Sequence, residues 1–173
     1  MEEVDRGQIP GWILAGSHRE EYAHGVLDGE RFDGHRVAFL RFTAEAEPSG
    51  FGTVMQTFDA RDHRASRLRF SGHLRTEAAG WAGLWMRVDE RDGRFSAFDN
   101  MQDRSMSGDR DWRRCEVVLD VGADSSAVAF GILLCGAGEA RFAGLRLETV
   151  GDDVPTTGAG LAAAPQNLDF SAS

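Results

Sequence analysis

The feature that most restricts the folds open to this chain is a period of two, broken at short intervals by glycine. Residues 82–88 place Ala82, Leu84, Met86 and Val88 on one side and Gly83, Trp85 and Arg87 on the other. Successive side chains of an extended backbone point to opposite faces, so such a run is a strand with one apolar face. Residues 67–74 set Leu68, Phe70, Gly72 and Leu74 against Arg67, Arg69, Ser71 and His73, and residues 115–121 set Cys115, Val117, Leu119 and Val121 against Glu116, Val118 and Asp120. The same reading predicts strands at 37–42, 52–58, 94–100, 127–134 and 140–150, with Asp92-Gly93 as a hairpin turn because glycine accepts the positive φ such turns demand. No segment carries a helical stripe of adequate length. About eight strands with frequent turns suit an all-β domain built as a two-sheet antiparallel sandwich of jelly-roll type. A closed, lipocalin-like barrel is the alternative. Residues 1–150 are expected to form this single domain and 151–173 an irregular C-terminal extension, within which 165–170 would present Leu168 and Phe170 to one side if extended.

Charge and residue inventory narrow the functions. The 173-residue chain has 28 acidic residues against 19 basic ones, a formal net charge of -9, so as a whole it repels a phosphate backbone and nucleic acid is not an expected partner. Every basic residue is arginine, which excludes lysine Schiff bases, pyridoxal-phosphate attachment and the P-loop lysine. The N-terminus is acidic, and the short apolar stretch 9–16 is broken by Pro10 and Gly11, so it is not a secretory signal. The longest apolar run, 127–138, is too short to cross a bilayer as a helix, and a soluble, cytoplasmic protein is expected.

Neither Cys115 nor Cys135 has a neighbouring thiol at zinc or redox spacing, and both are expected to be buried free thiols. The histidines, His18, His24, His35, His63 and His73, form no metal-ligand spacing, and no metal or cofactor is expected. His63 falls on a turn and His73 on an outward strand face, where a solvated or cross-strand role accounts for each; His73 is kept among the candidate binding residues. No serine sits at a nucleophile elbow, and Gly136-Ala137-Gly138 is a turn opening onto a strand, not a phosphate cradle.

What stands out is aromatic and sulfur content on strands. With Ala82, Leu84, Met86 and Val88 in the core, alternation drives Trp85 and Arg87 to the opposite face. A loop or the C-terminal extension covers that tryptophan, or it is part of a ligand platform beside an arginine that binds a carbonyl or hydroxyl oxygen. Near it, either Met55 or Gln56 looks outward, and either Phe98 with Asn100 or Asp99 with Met101 shares the face. Trp12 and Tyr22 lie on an N-terminal segment too irregular to orient. Trp85 and Arg87 are the candidate catalytic pair, and Trp12, Tyr22, Met55, Gln56, His73, Asn100 and Met101 the candidate binding residues.

The stretches 50–56 (GFGTVMQ), 80–89 (GWAGLWMRVD) and 97–104 (AFDNMQDR) resemble a bacterial β-sandwich module related to galactose-binding-like and carbohydrate-binding jelly rolls, which also occurs attached to transcriptional regulators. The resemblance runs from about Gly11 to Val150, and 154–157 and 167–170 are similar to the module's tail. At 142–145 (FAGL) the chain departs from the many sugar-binding relatives that carry an acidic residue in the last strand, which counts against a calcium site or a sugar-type ligand. Stand-alone members are similar to small polyketide cyclases that guide six-plus-four and Diels-Alder cycloadditions of macrolactone polyenes without a cofactor. That similarity implies a cofactor-free cyclase acting on a hydrophobic small molecule, by holding a polyene folded and so removing entropy from the barrier. The alternatives are a non-catalytic carbohydrate or small-molecule binding module, and an interaction domain whose outer tryptophan marks a homo-oligomer contact.

Overall fold

A computed structural model describes residues 4–5 and 9–158. Its strands are β1 (Val4–Asp5), β2 (Ile13–Ala15), β3 (Tyr22–Phe32), β4 (His35–Phe42), β5 (Phe51–Asp59), β6 (Ser66–Glu90), β7 (Phe95–Asp99), β8 (Met106–Val121), β9 (Ser125–Cys135) and β10 (Glu139–Val150). Three single 3₁₀ turns are the only helical pieces among the described residues, none long and apolar enough to cross a membrane. The chain is all-β, an antiparallel jelly-roll sandwich.

The two layers share β6. Its first half pairs with β10 on one side (Leu74↔Phe142, Phe70↔Leu147) and β8 on the other (Phe70↔Val117). Its second half pairs with β9 (Leu84↔Ile132) and β7 (Arg87↔Phe98). One layer is thus β1-β3-β4-β10-β6-β8 and the other β2-β5-β9-β6-β7; the path ends on β1 and β2, which pair with β3 and β5 and not with each other, so the barrel alternative does not hold among the described residues. The runs 67–74 and 82–88, expected as separate strands, are one 25-residue strand. Bulges carry it from one layer to the other: its pairing with β8 shifts register three times between Leu74 and Ala82, and Ala78 adopts φ 48°. Gly80 sits at this bend, where a Cβ would lie 2.3 Å from the Cys135 carbonyl oxygen.

The core lies between the layers. Ala82, Leu84, Met86 and Val88 are fully buried with Val54, Ile132 and Leu134 of the same layer, and meet Leu68, Phe70, Leu74, Val117 and Leu119 of the other. Phe70 and Phe130 pack edge to face across the interface at 4.9 Å. The Asp92-Gly93 turn forms as expected between β6 and β7, with Glu90 N–H donating to Arg94 O and Gly93 at φ 84°. A second Asp-Gly pair, Asp33-Gly34, closes the β3–β4 hairpin with both residues at positive φ. Residues 151–158 lie along β8 and cover Val118, which alternation had placed on an open face. The expected docking of 165–170 lies outside the described residues.

Candidate functional site

The outer face of the β5-β9-β6-β7 layer holds a cleft of about 400 Å³. Register explains its lining. The odd-numbered residues of β5, β9 and β6 point away from the core and line up in rows, Phe51–Cys135–Trp81, Thr53–Leu133–Gly83 and Met55–Gly131–Trp85, while Arg87 pairs with Phe98. Phe51, Thr53, Trp81, Trp85, Arg87 and Phe98 line the cleft, together with Asn100, Leu133 and Cys135. The two glycines in these rows, Gly83 and Gly131, permit close approach of their neighbours: a Cβ at Gly83 would lie 3.0 Å from Asn100 O and from Met101 Cβ. At Gly131 a Cβ would stand 2.3 Å from the Val54 carbonyl oxygen, so only glycine lets β5 and β9 approach as they do.

Trp85 is the floor. It is 8% exposed and packs on Ala129 and Leu133, apart from the main core, with Met55 and Trp81 against the same group. Its indole N–H donates to Thr53 Oγ1 at 2.8 Å, and the Thr53 hydroxyl donates to Ile132 O at 2.6 Å. Thr53 stands two strands away from Trp85, so the ring lies across β9 to reach it. Trp81, half-buried, and Phe51 and Phe98, each 37% exposed, supply the open aromatic faces.

Polar groups are few. Arg87 clamps Asp89 through Nε (2.7 Å) and Nη2 (3.1 Å). Asn100 accepts the Gln102 N–H through Oδ1 at 3.1 Å, which leaves its amide group to donate. No carboxylate lines the cleft, and no cluster of His, Cys, Asp and Glu among the described residues has the arrangement of a metal site.

The other candidates from the sequence divide clearly. Met55, not Gln56, faces the cleft side; Gln56 shares the opposite face with Val54, and its Nε2 would lie 3.7 Å from a Cβ built on Gly11. Phe98 with Asn100, not Asp99 with Met101, faces the cleft. Met101 is 2% exposed in the core, its sulfur accepting the Leu84 N–H at 3.3 Å. Trp12 packs edge to face on Phe130 at 5.5 Å at the margin of the core, outside the cleft. Tyr22 is 5% exposed and structural: its hydroxyl donates toward Gly136 O (2.7 Å) and Gly50 O (3.1 Å), and burial pushes its pKa up to about 12, with Cys135 and Glu21 adding to the rise.

His73 sits on the other layer, in a polar hollow of about 520 Å³ with His35, Arg69, Arg114, Arg146 and Glu148, its ring 4.9 Å from that of Phe32. There Arg69 is paired with Glu148 and Arg114 with Glu116, an ordinary arrangement for a solvated sheet face. Cys115 is buried, and burial pushes its thiol up despite the nearby arginines, but Cys135 is only half-buried and reaches the cleft, because it stands on the outward row between Phe51 and Trp81. Phe51, Thr53, Trp81 and Leu133 were missed; Trp81 shares the parity of Trp85, and Phe51 and Thr53 that of Met55, and this was the available signal.

Behind the cleft wall, Asp99 is 7% exposed. Burial alone would raise its pKa, but hydrogen bonds from Arg104, Thr157 and the Met101 N–H outweigh it and hold the carboxyl below the usual range.

No protein-family model matches the chain. A relative from Bacillus subtilis (strain 168), named as the uncharacterized HTH-type transcriptional regulator YbfP, is 33% identical over 168 residues, covering 94% of this chain and 57% of the relative. The chain therefore spans little more than half the length of that relative. Among solved structures, the chain is similar to the CBM22-1 xylan-binding domain of Paenibacillus barcinonensis Xyn10C (TM-score 0.57, 14% identity, 87% of this chain and 93% of that one). It is also similar to TmCBM61, solved with β-1,4-galactotriose (TM-score 0.53, 12% identity, 83% and 92%). The active domain of tailspike protein 4 of bacteriophage CBA120 aligns at a TM-score of 0.61 with 10% identity, over 83% of this chain and 20% of that one. These likenesses define the fold as the jelly-roll sandwich of carbohydrate-binding modules. They lend no support to the resemblance to cycloaddition cyclases.

Proposed function

We propose that this chain is a small-molecule binding module whose ligand lies in the cleft on the β5-β9-β6-β7 face. One observation carries the reading: an aromatic hollow stands on the sheet face opposite the core, where a sheet ordinarily meets water. A largely apolar pocket with a few directed polar groups is the usual form of a small-molecule site. The ligand class that fits is a ring compound, a short saccharide among them, with an apolar face on Trp81 and Phe98 and oxygens toward Asn100 and the outer edge of Arg87. Structurally similar modules, one a xylan-binding domain and one solved with β-1,4-galactotriose, support this choice of class. The regulator relative supports a sensing role, in which the module reports its ligand to a partner domain or protein.

The test is a titration with xylohexaose, β-1,4-galactotriose and 2-acetylnaphthalene, followed by tryptophan emission and calorimetry. At least one should bind saturably, and Trp81→Ala should weaken it about tenfold or more in a protein that keeps its melting temperature, the scale expected for a lost aromatic contact plus its buried area. Trp85→Ala is a poorer test, since removing a nearly buried indole opens a cavity at a cost of about 3–5 kcal/mol. Binding unchanged in both Trp81→Ala and Phe98→Ala would remove the cleft from consideration.

A second reading, cofactor-independent cycloaddition, draws on the same apolar lining and the lack of a carboxylate in it. A folded polyene on Trp81 and Trp85 would react by proximity alone. Turnover of a linear polyene macrolactone above the uncatalysed rate separates this reading from binding only.

A further inference from the structure

We infer that Thr157 is a positioning residue for the cleft: acting through Asp99, the docked segment 151–158 sets where Phe98 and Asn100 stand, so cleft affinity and segment docking are coupled. This rests on the cleft being the binding site.

β7 is a five-residue edge strand whose only ladder partner among the described residues is β6. Its last side chains alternate across the sheet. Phe98 turns to the cleft and Asp99 turns behind it. Asp99 is held there by three neighbours: Arg104 Nη1 and Nη2 donate at 3.2 and 2.5 Å, Met101 N–H at 2.9 Å, and Thr157 Oγ1–H at 2.6 Å. The Asp99–Met101 bond fixes the turn that follows β7, where Met101 is left-handed (φ 60°). Asn100, between them, is thereby aimed into the cleft.

Thr157 joins this wall to the rest of the molecule. Its hydroxyl accepts the Val118 N–H at 2.8 Å while donating to Asp99, which uses one donor and one acceptor of a single group. Its own N–H donates to Val118 O at 3.0 Å. Upstream, Arg67 Nη1 holds the carbonyls of Val154 (2.5 Å) and Asp152 (3.2 Å). Downstream, the backbone of Gly158 approaches β7 so closely that a Cβ would lie 2.6 Å from Phe98 O. Phe98 lines both the cleft and a hollow of about 300 Å³ that Thr156 and Gly158 also line, so one residue borders both the cleft and the docked segment. A ligand that needs Phe98 and Asn100 in place favours the docked segment, and linkage requires the converse by the same factor.

Thr157→Val and Thr157→Ser decide the matter in the full chain. In ligand-free protein, NMR of Thr157→Val should shift the Asn100 side-chain amide and the Phe98 ring signals, and Thr157→Ser should restore them. With xylohexaose or 2-acetylnaphthalene, Thr157→Val should weaken binding about fivefold, Ser should not, and saturating probe should slow exchange of the Thr157 amide in wild type by a like factor. A folded Thr157→Val with unshifted Asn100 and Phe98 signals, or with unchanged affinity, would overturn the coupling and leave the cleft reading standing. If neither probe nor galactotriose binds wild type, the cleft reading fails, and the ligand-free spectra still decide whether Thr157 positions the wall.

Discussion

Replacing Thr53 with valine isolates the contact that pins the Trp85 indole. Both residues are nearly out of solvent, at 4% and 8% exposure, so neither lost partner is readily replaced by water. Valine keeps the branched shape and removes only the hydroxyl, which ends the 2.8 Å bond from the indole and the 2.6 Å bond to Ile132 O. The Ile132 carbonyl has a second lone pair, so the larger cost falls on the indole N–H. A net hydrogen bond contributes about 1 kcal/mol and a buried donor left unpaired costs about 1–3 kcal/mol, so a loss near 2 kcal/mol is expected. In a domain of this size that lowers Tm by roughly 4–8 °C. Thermal and urea unfolding measure the loss, and the indole N–H resonances, four in this chain, report whether the ring moves. A double-mutant cycle completes the test: with Trp85→Phe already present, Thr53→Val should cost about 1 kcal/mol less than in wild type. An equal cost in both backgrounds, or a loss under about 0.5 kcal/mol in wild type, would refute the account of the pinned indole.

Tyr22 is the only tyrosine, so its ionisation can be read at 295 nm without interference; tyrosinate absorbance should appear near pH 12 instead of near 10, and the stability tied to its neutral form should fade between those values. A midpoint near 10 in folded protein would contradict its burial. Asp99 has the opposite sign: its lowered pKa contributes stability present above the ordinary carboxylate value of about 3.9 and lost as pH falls below it toward the folded-state value. Wild type should therefore exceed Asp99→Asn in stability at pH 7, with the gap shrinking only below about pH 4; a gap that does not change with pH would show that the charge is irrelevant. Gly131→Ala should destabilise by more than about 3 kcal/mol, because the new Cβ meets backbone, whereas Gly29→Ala, with φ 75° and open space around it, should cost only about 1–2 kcal/mol. Equal losses in denaturant would refute the close approach of β5 and β9. Finally, iodoacetamide should modify Cys135 in folded protein and spare Cys115, as mass spectrometry of peptides would show.

Much of the fold was legible because one strong signal, alternation, recurs in β5, β6, β8, β9 and β10. It was lost where glycine interrupts it. β3 contains Gly25 and Gly29, and its register with β4 shifts between Leu27 and Arg31, so no clean period survives in the sequence. The continuity of β6 was hidden for a related reason: bulges between Leu74 and Ala82 interrupt the alternation, burying Ala79 in between, although even-numbered residues face the core on both sides of them. The candidate site was legible at Trp85 and Arg87, whose strand has an unambiguous apolar face. It was illegible at Met55/Gln56 and at 98–101, where both parities contain residues fit for either side. Tyr22 and Trp12 read as binding residues because an aromatic side chain looks the same in a cleft and in a core.

Alternation belongs to consecutive residues, and the chain alone therefore determined that strands form, which of their faces seek the interior, and that the Trp85 indole must leave it. Which outward residues meet is a relation between segments remote in sequence, set by register and by the bend at Gly80. Only the folded sheet could place Cys135 beside Trp81 and Phe51, join Trp85 to Thr53 across an intervening strand, or bring Thr157 back to cover Val118 and hold Asp99. Local geometry decides direction, and the packing of whole layers decides company.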